Sequence, residues 1–440
     1  VVGGSLMASS QMGENLLGGN INLSVDGNVG SFSDRVQLGT SGLGQQISLD
    51  IGGDAYLGAL QGAASTAGSL TFAEANVDGL LDIAQARDLL QNADWTVGGL
   101  VLALDNQWNM AADTHLVSGN GIFARVADQA VLGNISTVNS GANIDIQARL
   151  LQASADNQVW QAANQLTLRS HGDIGSPVWK VGVGGQHLDI SSSQGALYLR
   201  LLDGIQSGSL SSAQAQFLTS AGNVALDSVT SQNAQVVLDG MGDVAIDTLS
   251  AKLDLDLSGE SLSLGSANSA QGNVLINFTG AVSADELHSA SQRVEVNAGA
   301  AQLGNVSAAD TLSVHTTADA LRIGTGSSGG DLTLTTLAGS LANIHFGVLA
   351  DPNTPNGLAP SHLKSGADIL LRADGDVFGG NAEAEGLLQM FGRNLSFGRA
   401  QSLQGDIFLQ ASGDPQLGQG NIMALQVDAK NDVGIIASGN

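Results

Sequence analysis

The chain has no cysteine, five prolines and only 4% aromatic residues in 440. Without cysteine there can be no disulfide, no thiolate metal site and no thiol nucleophile. Basic residues are scarce too. Fifteen Lys and Arg face 41 Asp and Glu, a formal charge of −26. Such a surface repels phosphate backbones instead of releasing their counterions, so no nucleic-acid partner is expected. Long apolar runs are also missing. Stretches such as "LVLAL" (100 to 104) fall far short of the roughly 20 residues needed to cross a bilayer, so the chain is not expected to be membrane-inserted.

What is present is glycine, 59 residues of it, within a chain that is 43% hydrophobic and draws that fraction largely from Leu, Val, Ile and Ala. Glycine stands well above its usual share of roughly 7%. The aliphatic content is nevertheless too high for a disordered chain, which lacks the apolar surface to offset its entropy. A folded, repetitive protein is implied.

The repeat is legible in the second half. Apolar alternation restarts at "VVLDGMGDVAI" (236), "LDLDLSGESLSL" (253), "VLINFTGAVSA" (274), "VEVNAGAAQL" (294), "LSVHTTADALRI" (312) and "LTLTTLAGSL" (332), and resumes at 369, 407 and 425. Most intervals are 17 to 21 residues; the gap between 369 and 407 is wide enough for two coils, with "LLQMFGRNLSF" (387) between them. Each unit reads as a short strand of period two, a small polar turn and a second short strand. Helical periodicity is nearly absent. The one candidate, "GLLDIAQARDLLQNA" (79 to 93), fits the strand repeat equally well. In the first half the theme recurs at wider spacing, which longer arms between strands would explain.

A unit of about 20 residues cannot bury its own apolar face, but stacking it on the next unit can. The expected fold is therefore all-β, a right-handed parallel β-helix with about 20 residues per coil. Roughly 22 coils at the parallel-strand spacing would make a rod on the order of 100 Å long. The sequence reads as one continuous solenoid over 1–440, looser in 1–210 and regular in 211–440. Residues 348–366, with three of the five prolines, read as a surface loop inserted between coils. The chain starts at Val1 and its last lines still look like repeat, so it is expected to be a segment of a larger protein.

The recurrence resembles the filamentous-haemagglutinin-type repeat of large exoproteins exported by two-partner secretion. That pattern of an alternating strand, A-x-x-L-x-N, a turn and a second strand is matched by "ARDLLQNADWTVGGLVLAL" (86 to 104) and less closely by "RLLQASADNQVWQAANQLTLRS" (149 to 170). The acidic, cysteine-free composition is similar to that of biofilm-matrix adhesins of this type. The resemblance implies an adhesin on the outer surface of a Gram-negative bacterium. Its partners would be an outer-membrane two-partner transporter and extracellular polysaccharide or a cell-surface glycan.

Several constellations invite a sharper reading. Asp374, Asp376 and Glu385 fall at positions one, three and twelve of an EF-hand pattern, but Phe378 occupies position five, where it cannot ligate. "ADGD" (373 to 376) has counterparts in "SHGD" (170), "GMGD" (240), "ASGD" (411) and "AKND" (429), each after an alternating strand, which favours a coil corner over a metal loop. "IGTGSSGG" contains G-x-G-x-x-G at Gly324, Gly326 and Gly329 and G-x-S-x-G at Ser328, yet a strand pattern follows where either motif needs a helix. The seven histidines show no zinc-ligand spacing.

Trp95, Trp108, Trp160 and Trp179 lie in the looser half. They either fill wide coil interiors or stack on sugar rings, and are the candidate glycan contacts. Sequons occur at Asn22, Asn134, Asn277, Asn305 and Asn394, as expected wherever Asn and Ser populate turns. No catalytic residue or cofactor is expected. No charged cluster recurs in register on neighbouring coils, which argues against the alternative of a polysaccharide-degrading enzyme of the pectin-lyase-like type. A stalk that carries a toxin or passenger domain is the remaining alternative.

Overall fold

The computed structural model describes residues 4, 6, 15–40, 45–59, 68–337, 342–347 and 362–439. The chain divides into two compact units, Val1–Leu226 and Asp227–Asn440. In each, short strands stack in parallel register on their counterparts one coil away, giving a parallel β-solenoid of about 20 residues per turn. Among the described residues there is no α-helix, only a three-residue 3-10 turn at Pro415–Leu417.

In the second unit each coil has three faces. On the first, positions 236, 255, 274, 294, 312 and 332 stack in order, with steps of 18 to 20 residues. The column continues through 369, 388, 407 and 433. The wide gap before 407 is therefore two coils, with Leu388–Gly392 as the strand between, as the repeat spacing implies. The second face stacks 244, 262, 282, 301, 321, 344, 377, 395 and 422. The third stacks 249, 267, 287, 306, 326, 363, 382, 400 and 427. Leu, Val, Ile and Ala hold nearly all these positions. With period two, the residues beside them point outward.

One expectation needs correcting here. His362–Ser365 is not loop but a strand, paired with Leu321–Ser328 on one side and Val377–Ala384 on the other. Leu363 is the reason, since it fills the third-face column and is fully buried. Residues 348–361, the rest of the proposed insertion, lie outside the described residues.

The first unit has wider coils. Positions 100, 122, 144, 166 and 188 stack with a uniform step of 22. The added circumference leaves room for large side chains, and small or aliphatic neighbours flank them along the stack. Trp95 sits between Ala75 and Leu116, Trp108 between Leu89 and Ala130, and Trp160 between Ile135 and Val183. Phe72 meets Trp95 edge-on, ring centroids 5.2 Å apart.

The segment with helical character, 79 to 93, is strand as far as Gln91. It belongs to Ser69–Gln91, which pairs with Trp95–Met110. The ladder slips between Ala84 and Ala86, where Gln85 adopts a left-handed φ of 62°. One extra residue at a bulge shifts the alternation by one position. Ile83 and Ala86 thus both face inward, and the resulting three-residue spacing mimics one side of a helix.

Candidate functional site

The polar residues that carry chemistry concentrate at the corners, and there they bond one coil to the next. On entry to the first face, the Asp254 carboxylate accepts from the Asn273 backbone and side-chain amides at 2.7 and 2.9 Å. Asp331 accepts from Asp368 N–H, Asp368 from Leu387 and Asp406 from Asp432. On entry to the second face, Asn343 Oδ1 accepts from Asp376 N–H at 2.7 Å and Asn394 Oδ1 from Asn421 N–H at 3.1 Å. The first unit uses the same device at Asn28, Asp54, Asp173 and Asp203. A side-chain oxygen of this kind satisfies a backbone donor that the turn would otherwise leave unserved.

Buried serines close the third face. The Ser289 hydroxyl donates to the Gly272 carbonyl of the coil before, at 2.7 Å, and accepts from Gln292 N–H at 3.0 Å. Ser402 does the same with Gly386 and Gly405, and Ser192 in the first unit with Gly172 and Gly195. The sequence signal was the recurrent Ser three residues before a turn residue, masked by the abundance of serine.

All five "ADGD"-type segments fall at corners or strand breaks, though not at one corner. Those at 240, 373 and 411 lead into the second face, whereas "AKND" at 429 leads into the first. Asp374 and Asp376 share the corner after Ile369–Ala373; Glu385 lies at the next corner, beyond Val377–Ala384, and accepts from Gln404 at 2.9 Å. Arg393 grips Asp376 through two bonds of 2.9 and 2.8 Å, and Asn394 adds a third at 2.9 Å. Burial pushes the Asp376 carboxyl up, but the Arg393 and Asn394 bonds outweigh it and hold the group below its ordinary range. A cation here would have to displace a guanidinium. No group of three or more potential metal ligands occurs among the described residues.

The tryptophans divide three to one. Trp95, Trp108 and Trp160 are fully buried, so as glycan contacts they are ruled out by burial; their size made them interior residues. Trp160 even spends its indole N–H on the Gly133 carbonyl, at 3.0 Å. Trp179 alone is accessible, 41% exposed.

Ser328 is buried and donates to the Gly330 carbonyl at 2.9 Å, and the strand Leu332–Thr336 follows, so its motif forms no nucleophile elbow. The histidines at 187, 288 and 315 each meet a hydroxyl one coil on, at Ser207, Ser307 and Thr335. No helix of the described residues is long and apolar enough to cross a membrane.

Charges do recur across neighbouring coils, contrary to the sequence reading. Arg125 binds Asp145 through 3.0 and 2.8 Å contacts, and Arg169 reaches both Asp145 and Asp189, at 3.7 and 2.7 Å. The 22-residue step hid this alignment. Signs alternate, so the cluster neutralises itself. A second ion pair escaped notice altogether: Arg35 and Asp82 form two bonds of 2.8 Å, with side chains 11% and 6% exposed.

One concave feature stands out in the second unit. The outward residues of the second face, among them Ser263, Ser283, Gln302, Arg322, His345 and Phe378, stack in one register. Immediately beyond, the chain bends into the third face at Asp247, Gly265, Asp285, Gly304 and Gly324. A Cβ at Gly265 or Gly304 would collide with the carbonyl oxygen of Asp247 or Asp285 on the coil before. The bend thus encloses a groove of two hollows, about 330 and 320 Å3, which share Gln302 and Leu303. His345 and Phe378 lie ring against ring with centroids 5.2 Å apart. Burial and the neighbouring Arg322 charge depress the His345 pKa, against a weaker pull upward from Asp376, so the imidazole is neutral at neutral pH.

In comparisons with protein-family models, with curated proteins and with solved structures, nothing matches this chain.

Proposed function

We propose that the chain is a non-catalytic β-solenoid shaft of a secreted or cell-surface bacterial adhesin, holding cells to one another or to an exopolysaccharide matrix. The observation that carries this reading is the use made of the reactive side chains. Carboxylates, amides and hydroxyls at 254, 273, 289, 376 and 402 are spent on joining each coil to its neighbour. Side chains committed in this way serve extension and rigidity. Adhesion would come from many weak contacts repeated along such a scaffold, where multivalency supplies avidity that no single coil has. Placement on a Gram-negative outer surface and export through a two-partner transporter rest on the repeat resemblance alone.

The test is co-sedimentation of the purified chain with the producer's exopolysaccharide, followed by analysis of the sugar products. Retention with intact polymer supports the reading. Release of oligosaccharides would replace it with the polysaccharide-degrading alternative, and lack of retention would favour a stalk for a separate passenger.

A further inference from the structure

The groove between the second and third faces of the second unit has features that coil-to-coil bonding does not require. Arg322, in an acidic protein, makes no hydrogen bond or ion pair with the described residues and lies exposed on the groove wall. Phe378 and His345 follow it on the next two coils, half-buried and ring against ring. At the other end Asp247 and Asp285 are exposed carboxylates without a side-chain partner among the described residues, set on alternate coils with Gly265 between them.

From this arrangement we propose that the groove binds a linear, neutral glycan lying along the stacking direction. Phe378 and His345 offer a continuous apolar ring surface to a sugar, Arg322 and Gln302 donate to its oxygens, and Asp285 and Asp247 accept from hydroxyls further along. The proposal rests on the adhesive reading above and gives it a location.

Three arguments converge. The first is direction: the groove is built from equivalent positions on successive coils, so a ligand matching it must itself repeat along a line. Coils about 4.8 Å apart put Asp247 and Asp285 about 9.6 Å apart along the stack, comparable to one disaccharide of an extended chain. Gln302, common to both hollows, makes the line continuous.

The second is chemistry. A concave site that combines apolar ring surface with a few fixed donors and acceptors is the usual form of a small-molecule subsite. A carboxylate accepts from hydroxyls and a guanidinium presents planar donors, the pairing that sugars need. The third is charge. With −26 overall and two carboxylates in the groove itself, a polyanionic chain is repelled, and a single Arg322 does not offset that. The glycines at 265, 304 and 324 let a polymer lie against the backbone at those coils, and the collisions that a Cβ would meet keep those positions bare.

The test uses the full chain and calorimetric titration with three hexasaccharides: β-1,4-linked glucose, β-1,4-linked mannose and, as the anionic probe, α-1,4-linked galacturonate. At least one neutral hexasaccharide is expected to bind. Its Kd should rise tenfold or more in Phe378→Ala and in Arg322→Ala, and stay unchanged in Trp179→Ala. Arg322 is exposed and Phe378 half-buried, and unaltered amide-exchange protection of the flanking strands, read at Leu321 and Val377 N–H, confirms that each variant folds locally. Binding by neither neutral probe, tightest binding by the anionic one, or equal binding by the groove variants would each overturn the proposal. The Arg322→Ala, Phe378→Ala double variant in the co-sedimentation assay separates the two readings. If it is retained like the parent, the groove assignment falls and the adhesin stands; if the parent is not retained, the adhesin itself falls.

Discussion

Replacing Arg393 with Ala tests whether Asp376 belongs to a corner or to a cation site. The variant removes two bonds of 2.9 and 2.8 Å from a carboxylate that is 12% exposed, and leaves only the Asn394 contact. Hydrogen bonds to charged groups contribute about 1.5–3 kcal/mol. Arg393 is 24% exposed, so water screens part of this. About 2 kcal/mol is expected for the pair, or about thirtyfold in a local opening equilibrium.

Solenoids unfold in parts, so a global melting temperature is the wrong instrument. Amide exchange, measured where it reports the opening equilibrium, reads the corner directly. Val377 N–H, bonded to the Asn394 carbonyl at 2.9 Å, should lose about thirtyfold protection by the same 2 kcal/mol, while Leu255 N–H, on a distant coil, should not change. The pH dependence follows from the lowered Asp376 pKa. A carboxyl that ionises at lower pH when folded contributes its full stabilisation above the ordinary aspartate value of about 4 and loses it as pH falls through the folded value. Parent and variant should therefore differ at pH 7 and converge at strongly acid pH. Unchanged protection at pH 7, or millimolar calcium protecting Val377 in the parent, would refute the corner assignment.

Three further outcomes are expected. Trp108→Ala should cost about 3–5 kcal/mol through the cavity it leaves, read as lost exchange protection in the neighbouring coils, whereas Trp179→Ala should stay within about 0.5 kcal/mol. Arg35→Met strands the buried Asp82 carboxylate and should cost about 3–5 kcal/mol; the double variant Arg35→Met, Asp82→Leu should recover most of that in denaturant titration of the first unit. Gly304→Ala should destabilise the second unit, since the added Cβ meets the Asp285 carbonyl, and its exchange protection around Leu303 should fall.

The coil and its length were legible because the residues that set them are local. Val274, Ile276 and their equivalents alternate in every repeat, and each coil's register is fixed by keeping that alternation inward. Trp95 shares parity with the buried Val97, yet exposure and burial both remained open until the coil width was known. Arg35 and Asp82 were not legible: 47 residues separate them, and only stacking across two coils brings them together. The groove escaped for a related reason. Nothing in "SLSLGS" or "AQLGNVS" announces a bend, and Arg322, His345 and Phe378 become neighbours only after the 37-residue step from 332 to 369 is closed.

The corner ladders also give the solenoid a direction. The acceptor oxygen belongs to the earlier coil and the donor amide to the later one, as in Asp254 to Asn273, Asp368 to Leu387 and Asn394 to Asn421. Ser289 and Ser402 follow the same order, since each donates back to a carbonyl of the coil before. In these side-chain ladders each coil offers its acceptors to its successor, while backbone bonds such as Val377 N–H to the Asn394 carbonyl run the other way. At these corner side chains, cutting coils from the later end leaves carboxylates and amide oxygens that water serves well. Cutting from the earlier end strips amides and hydroxyls of acceptors already in place. Two truncations of equal length should therefore differ in exchange protection at the cut, with the greater loss where the earlier coils were removed.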